Sequence, residues 1–148
     1  MQYSNNEPIQ TVQRRRTFMI TCDNGLSEND FEEQYKWPIR RTNASYSDCK
    51  FVIMNISDVD KRVELFLREI GVSPARITIY HLESRIPENQ YKSETKMYQS
   101  RIEMEDAMIS ISSHDILWTL STSRDTMVER IVKKRKEKQR TNPFKETL

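Results

Sequence analysis

A chain of 148 residues, 36% hydrophobic and 31% charged, holds one modest domain with a small core and well-solvated flanks. Only two glycines occur, which excludes Gly-rich phosphate loops, and no apolar run nears the ~20 residues a membrane-spanning helix requires. The net charge of +2 hides an asymmetry: residues 130–140 carry seven basic groups against Glu137, residues 1–16 carry three arginines against Glu7, and the stretch between them is acidic. Basic ends on an acidic body point to contact with polyanions through the ends.

In chain order, residues 1–13 are polar, contain Pro8 and lack periodicity, so they read as disordered. Arg14, Arg15 and Arg16 lead into a strand over Thr17–Cys22, and Asp23-Asn24-Gly25 is turn chemistry. Ser27 with Asp30 approximates a capping box for a helix from Glu28 to about Lys36, with Phe31 and Tyr35 on one face. Pro38 is predicted to end that helix. Ile39–Thr42 then reads as a short strand and residues 43–48 as a loop.

Residues 50–83 form the best-specified unit. Lys50–Ile56 is a short apolar strand, Ser57 caps a helix whose first turn holds Asp58 and Asp60, and Gly71 sits where a left-handed cap stops it. Val59, Val63, Phe66, Leu67 and Ile70 recur at helical spacing, and Ile77–Leu82 is a β-branched strand. The order strand, helix, short strand, strand, helix, strand is that of the split βαβ, or ferredoxin-like, core. If Ile39–Thr42 is only loop, the order becomes βαβαβ with a parallel sheet.

Beyond Ser84 the spacing predicts a helix from Glu94 to about Ile109, although the alternation of Ile102 and Met104 would also suit a strand. A hairpin follows, of Ile109–Ile111 with Ile116–Leu120, and then a helix capped by Thr122 or Ser123 that runs to about Arg140. After Val132 that helix is nearly all charge and is expected to project into solvent. The predicted fold class is therefore α+β: a single domain over residues 14–122 with a split βαβ core, extended by a basic C-terminal helix and tail over 123–148.

Residues 17–83 resemble an RNA recognition motif. Thr17–Cys22 sits where that family has its first-strand motif, Leu26–Phe31 looks like its first-helix opening, and Ser47–Met54 sits where its third-strand motif belongs. The resemblance implies that Phe18 and Phe51 stack bases on an exposed sheet face. Cys49 stands in place of the third aromatic, and Asp48 and Lys50 in place of small residues.

In that order the first and third strands are antiparallel neighbours, so Phe18, Ile20, Cys22, Cys49, Phe51 and Ile53 share one face. Met19, Val52, Met54 and the Val63/Phe66/Ile70 stripe would then form the core beneath. Ile20 and Ile53 are more apolar than a wet platform needs, so cover by the segment after Glu83, or by a protein partner, is the competing expectation. The candidate phosphate contacts are Arg14, Arg15, Arg16, Arg130, Lys133, Lys134, Arg135, Lys136, Lys138 and Arg140. Lys133–Lys136 also fits a nuclear import signal. Cys22, Cys49, His81 and His114 are isolated, which argues against a zinc site, and no catalytic spacing is readable. The sequence thus predicts a non-enzymatic, nuclear or nucleo-cytoplasmic nucleic-acid-binding protein, RNA favoured, without cofactor or membrane partner. The alternative is a protein-interaction adaptor whose basic tail directs localisation.

Overall fold

The computed structural model describes residues 16–22, 26–88, 91–118 and 127–141. Strands β1 (Thr17–Cys22), β2 (Lys50–Met54), β3 (Ile77–Leu82), β4 (Glu94–Tyr98) and β5 (His114–Trp118) form one sheet in the order β4-β3-β2-β1-β5. Every neighbouring pair is parallel. Runs such as Phe51–Met54 are buried on both faces, as strands covered by helices on each side must be.

On one face lie α1 (Glu28–Phe31), a π-helical turn (Glu32–Lys36), α2 (Trp37–Ser45) and α3 (Asp58–Glu69); on the other lie α4 (Arg101–Ile111) and α5 (Met127–Thr141). The chain steps from β1 to β4 in one direction, then returns through α4 to set β5 on the far side of β1. This is a Rossmann-like arrangement.

The ferredoxin-like expectation is therefore corrected: β1 and β2 are neighbours but parallel, with Thr17 opposite Lys50 and Phe18 opposite Phe51. Ile39–Thr42 is no strand, because the helix continues through Pro38. Within the π-helical turn the Trp37 amide donates to the Glu32 carbonyl, five residues back. That widening comes immediately before the ring that would otherwise meet the carbonyl of the preceding turn. Glu94–Tyr98 is an edge strand instead of a helix, and Ile109–Ile111 is the last turn of α4 instead of a hairpin strand. Ser100 ends the strand and starts that helix, its Oγ accepting from the Glu103 amide at 3.2 Å. The predicted cap at Thr122 or Ser123 lies outside the described residues.

The two apolar layers are also exchanged relative to expectation. Phe18, Ile20, Phe51 and Ile53 do share a face, but Phe31, Tyr35, Val63, Phe66 and Leu67 cover it. Met19, Val52 and Met54 pack instead against Met104, Met108, Ile109 and Ile131. Gly71 ends α3 as expected, at φ +89°. The Val72 amide donates to the Leu67 carbonyl at 3.0 Å and the Gly71 amide to that of Arg68 at 3.0 Å, a Schellman cap.

Candidate nucleic-acid interface

In a parallel sheet all strands start at the same edge. Arg16 immediately precedes β1, Lys50 opens β2, and Arg76 immediately precedes β3, so three cations gather at the amino edge. Antiparallel strands would have sent them to opposite ends. The Arg16 guanidinium lies 4.4 Å from the Tyr46 ring centroid. Arg76 donates to the Cys49 carbonyl and to Asn43 Oδ1, both at 2.7 Å, which pins the start of β2 to the end of α2.

The basic C-terminal helix reaches the same edge. Arg135 is only 7% exposed and forks onto Asp115, Nε to Oδ2 at 2.9 Å and Nη2 to Oδ1 at 3.0 Å. It also donates to the carbonyls of Ile109 (3.1 Å) and Ser112 (2.8 Å) and to Ser112 Oγ (2.6 Å). Lys138 Nζ donates to the Ile109, Ser110 and Ser112 carbonyls at 2.7, 3.3 and 3.0 Å. Two cations of α5 thus satisfy the orphan carbonyls at the C-terminus of α4, where the helix dipole is negative.

One residue further, the Ser113 amide donates to the Thr17 carbonyl at 3.0 Å, so the end of α4 joins the start of β1. His114 feels the positive charge of both Arg16 and Arg135. Its ring stacks on Phe18 with centroids 5.0 Å apart, and Ser113 Oγ is 2.8 Å from its Nδ1. Partial burial first, then the positive charges of Arg16 and Arg135, hold its pKa below the usual imidazole value, against the pull of Asp115.

The remaining predicted contacts divide by environment. Arg130 pairs with the fully buried Glu105 at 3.0 Å, and Lys134 with Asp106 at 3.0 Å, so both fasten α5 to α4. Lys133 and Lys136 are exposed on either side of Arg135. The expectation that the helix projects into solvent beyond Val132 is thereby corrected, since its cations dock on α4 and β5. Arg14 and Arg15 lie outside the described residues, and of Arg140 only the helical backbone is described. Phe18 and Phe51, the expected stacking rings, are 6% and 0% exposed. Neither presents a ring face to solvent, because the helices that make the sheet parallel cover it.

In the sequence Lys50 shows only as a departure from the RNA-recognition pattern and His114 only as an isolated histidine, while Tyr46 and Arg76 are not singled out. The signal available was a basic residue at the start of each of three strands, which has meaning only once the strands are parallel.

At the opposite, carboxyl edge, Glu83, Ser84 and Gln99 line a shallow polar depression of about 420 Å³. Asp60, nearly buried at the start of α3, accepts from the Ile56 and Ser57 amides at 2.9 and 3.0 Å. Burial pushes its pKa up to about 6 in spite of those bonds. Cys22 and Cys49 are buried and form no disulfide. In the parallel register Cys49 is level with Arg16, and six residues of strand at about 3.3 Å each set it ~20 Å from Cys22, too far to bridge. Burial raises the Cys49 thiol pKa, opposed by Arg76. Among the described residues no three His, Cys, Asp or Glu side chains converge as metal ligands, and no helix is long and apolar enough to cross a membrane. No family model matches the chain, and neither does any curated protein or solved structure.

Proposed function

We propose that this chain is a non-enzymatic nucleic-acid-binding module that uses the amino edge of its sheet. The observation that carries the proposal is that Arg16, which precedes β1, and Arg135 of α5, which closes on Asp115 in β5, come to the same edge of the sheet, next to the His114 ring stacked on Phe18. Cations dispersed over a surface bind a polyanion weakly, whereas cations gathered on one edge release its counterions together. In this reading Arg16, Lys50, Lys133 and Lys136 meet phosphates, and Arg14 and Arg15 extend the contact. Arg130, Lys134, Arg135 and Lys138 hold the helix that presents them. Nuclear import through Lys133–Lys136 belongs to the same proposal, and it requires α5 to loosen, because Arg135 in its pocket is closed to a receptor.

Titration of labelled single-stranded RNA at two salt concentrations tests the reading. Replacing Arg16, Lys133 and Lys136 together by alanine is expected to weaken binding to every sequence alike. If all three contacts are real, the slope of log affinity on log salt flattens by about 2, at ~0.7 per phosphate contact. Binding that ignores salt, or a triple variant with an unchanged slope, would remove the amino edge from the account.

A further inference from the structure

Trp37 breaks the pattern of its own helical run. Phe31, Tyr35 and Ile39 are at most 1% exposed, yet Trp37 among them is 56% exposed. An indole left in water forgoes one of the largest apolar burials a side chain offers. Its surroundings are cationic. The Arg41 guanidinium, one turn on, lies 4.5 Å from the Trp37 ring centroid. Arg40 and Lys36 lie 5.2 and 5.3 Å from the ring of Phe66 on α3, so positive charge covers that buried ring as well. Lys36 has Glu32 at 3.5 Å. Among the described residues Arg40 and Arg41 have no carboxylate within ion-pairing distance.

An exposed indole beside unneutralised guanidinium groups has a narrow set of complements. An acidic peptide would neutralise the arginines but leave the ring without a flat partner. A duplex would offer phosphates but keep its base faces stacked. A single strand supplies both, since every unpaired base has a π-face and every link a phosphate. We infer that the Trp37–Arg41 pair is a base-stacking platform for single-stranded nucleic acid, with Arg40 and Lys36 on its phosphates. The inference rests on the amino-edge proposal and adds the group that edge lacks, one that senses bases. The two surfaces adjoin: Tyr46, stacked with Arg16, directly follows α2, and nine residues at about 1.5 Å each set it ~13 Å from Trp37.

The chain has two tryptophans, so Trp118→Phe leaves Trp37 as the sole indole reporter. That protein is titrated with oligouridylate, oligothymidylate and inorganic polyphosphate. Both oligonucleotides are expected to quench Trp37, while polyphosphate binds without quenching. In the full chain, Trp37→Ala is expected to weaken oligouridylate binding roughly 5- to 160-fold, the cost of one lost stack, and Trp37→Phe to restore most of it, with polyphosphate binding unmoved. Should Trp118→Phe unfold the protein, the difference in quenching between wild type and Trp37→Phe carries the same information. Unchanged oligouridylate affinity in Trp37→Ala, with polyphosphate still bound, would overturn the platform and leave the amino edge standing. An acidic peptide that quenches as strongly, or a duplex that competes equally, would overturn it too. Loss of neither ligand in the triple variant of Arg16, Lys133 and Lys136 would instead remove the amino edge.

Discussion

Arg135 shows how a basic residue can lie in a cationic run and yet serve the fold. Its guanidinium closes on Asp115, a carboxylate only 15% exposed in its side chain, and on the carbonyls that end α4. Removing one partner of such a pair leaves the other buried and charged, so Arg135→Ala is expected to cost about 3–5 kcal/mol in chemical denaturation. Arg135→Lys should recover little, because a point charge cannot fork onto Asp115 and Ser112 together. Lys133→Ala and Lys136→Ala, exposed neighbours, should stay within about 0.5 kcal/mol of wild type. If Arg135→Ala is as mild as those two, the docking of α5 is not what holds the end of α4. Gly71 gives a second residue-scale test with a different cause. A Cβ there would meet nothing within 4 Å, so crowding is not the constraint, but φ is +89°. Gly71→Ala should therefore cost about 1–2 kcal/mol through backbone conformation alone, and Gly71→Asn, which tolerates that region, distinctly less.

At the scale of elements, what was legible had local chemistry and what was not depended on distant partners. Ser57, Asp60 and Gly71 announce the ends of α3, and the helix lies between them. The apolar parity of Phe18 with Ile20, and of Phe51 with Ile53, correctly grouped side chains by face. Parity is silent about direction, however, and reversing a strand keeps its faces. The clue to direction was the continuous run Phe51-Val52-Ile53-Met54, apolar on both faces, which an antiparallel sheet with one open face does not need. β4 was misread for a related reason. Its five residues are mostly exposed, so it is held by backbone pairing to β3 and carries almost no hydrophobic signature. The cap that separates it from α4, Ser100 with Glu103 three residues on, was present in the text of the chain. Ser100→Ala should cost about 1 kcal/mol by the loss of that cap. Denaturation that shows no loss would mean α4 is set by its packing alone. The candidate site was half legible: the basic ends were evident, but their meeting required the return of the chain through α4 to β5.

For the whole molecule, the charges follow the axis of the sheet. Crossover helices run against the strands, so their negative C-terminal ends gather at the amino edge and their N-termini at the carboxyl edge. Acidic residues occupy the first turns of α1, α3 and α4, and Arg16, Arg76, Arg135 and Lys138 occupy the other edge. The arrangement favours the fold and prepares the amino edge for a polyanion. It also places two shifted titrating groups at opposite ends, with opposite consequences for pH. Asp60 has its pKa raised by burial from 3.8 to about 6, so the native state holds a proton that the unfolded chain releases. Its stabilising effect is present below the unfolded value and is lost as pH rises through about 6, an effect on the order of 3 kcal/mol. His114 has its pKa lowered, so the unfolded chain binds the proton more readily, and its contribution is lost as pH falls below the usual imidazole range. Denaturation midpoints at about pH 4 and about pH 8 should therefore converge in Asp60→Asn relative to wild type, while His114→Asn should gain relative stability at the acid end. Nucleic acid at the amino edge reverses the second effect. Phosphates beside Arg16 would offset the positive charges that, after burial, keep the His114 pKa low, so binding takes up a proton and affinity should rise as pH falls through the imidazole range. His114→Asn should abolish that rise and leave affinity near pH 8 unchanged. If wild type and His114→Asn tighten equally on acidification, the ligand is seated away from this edge.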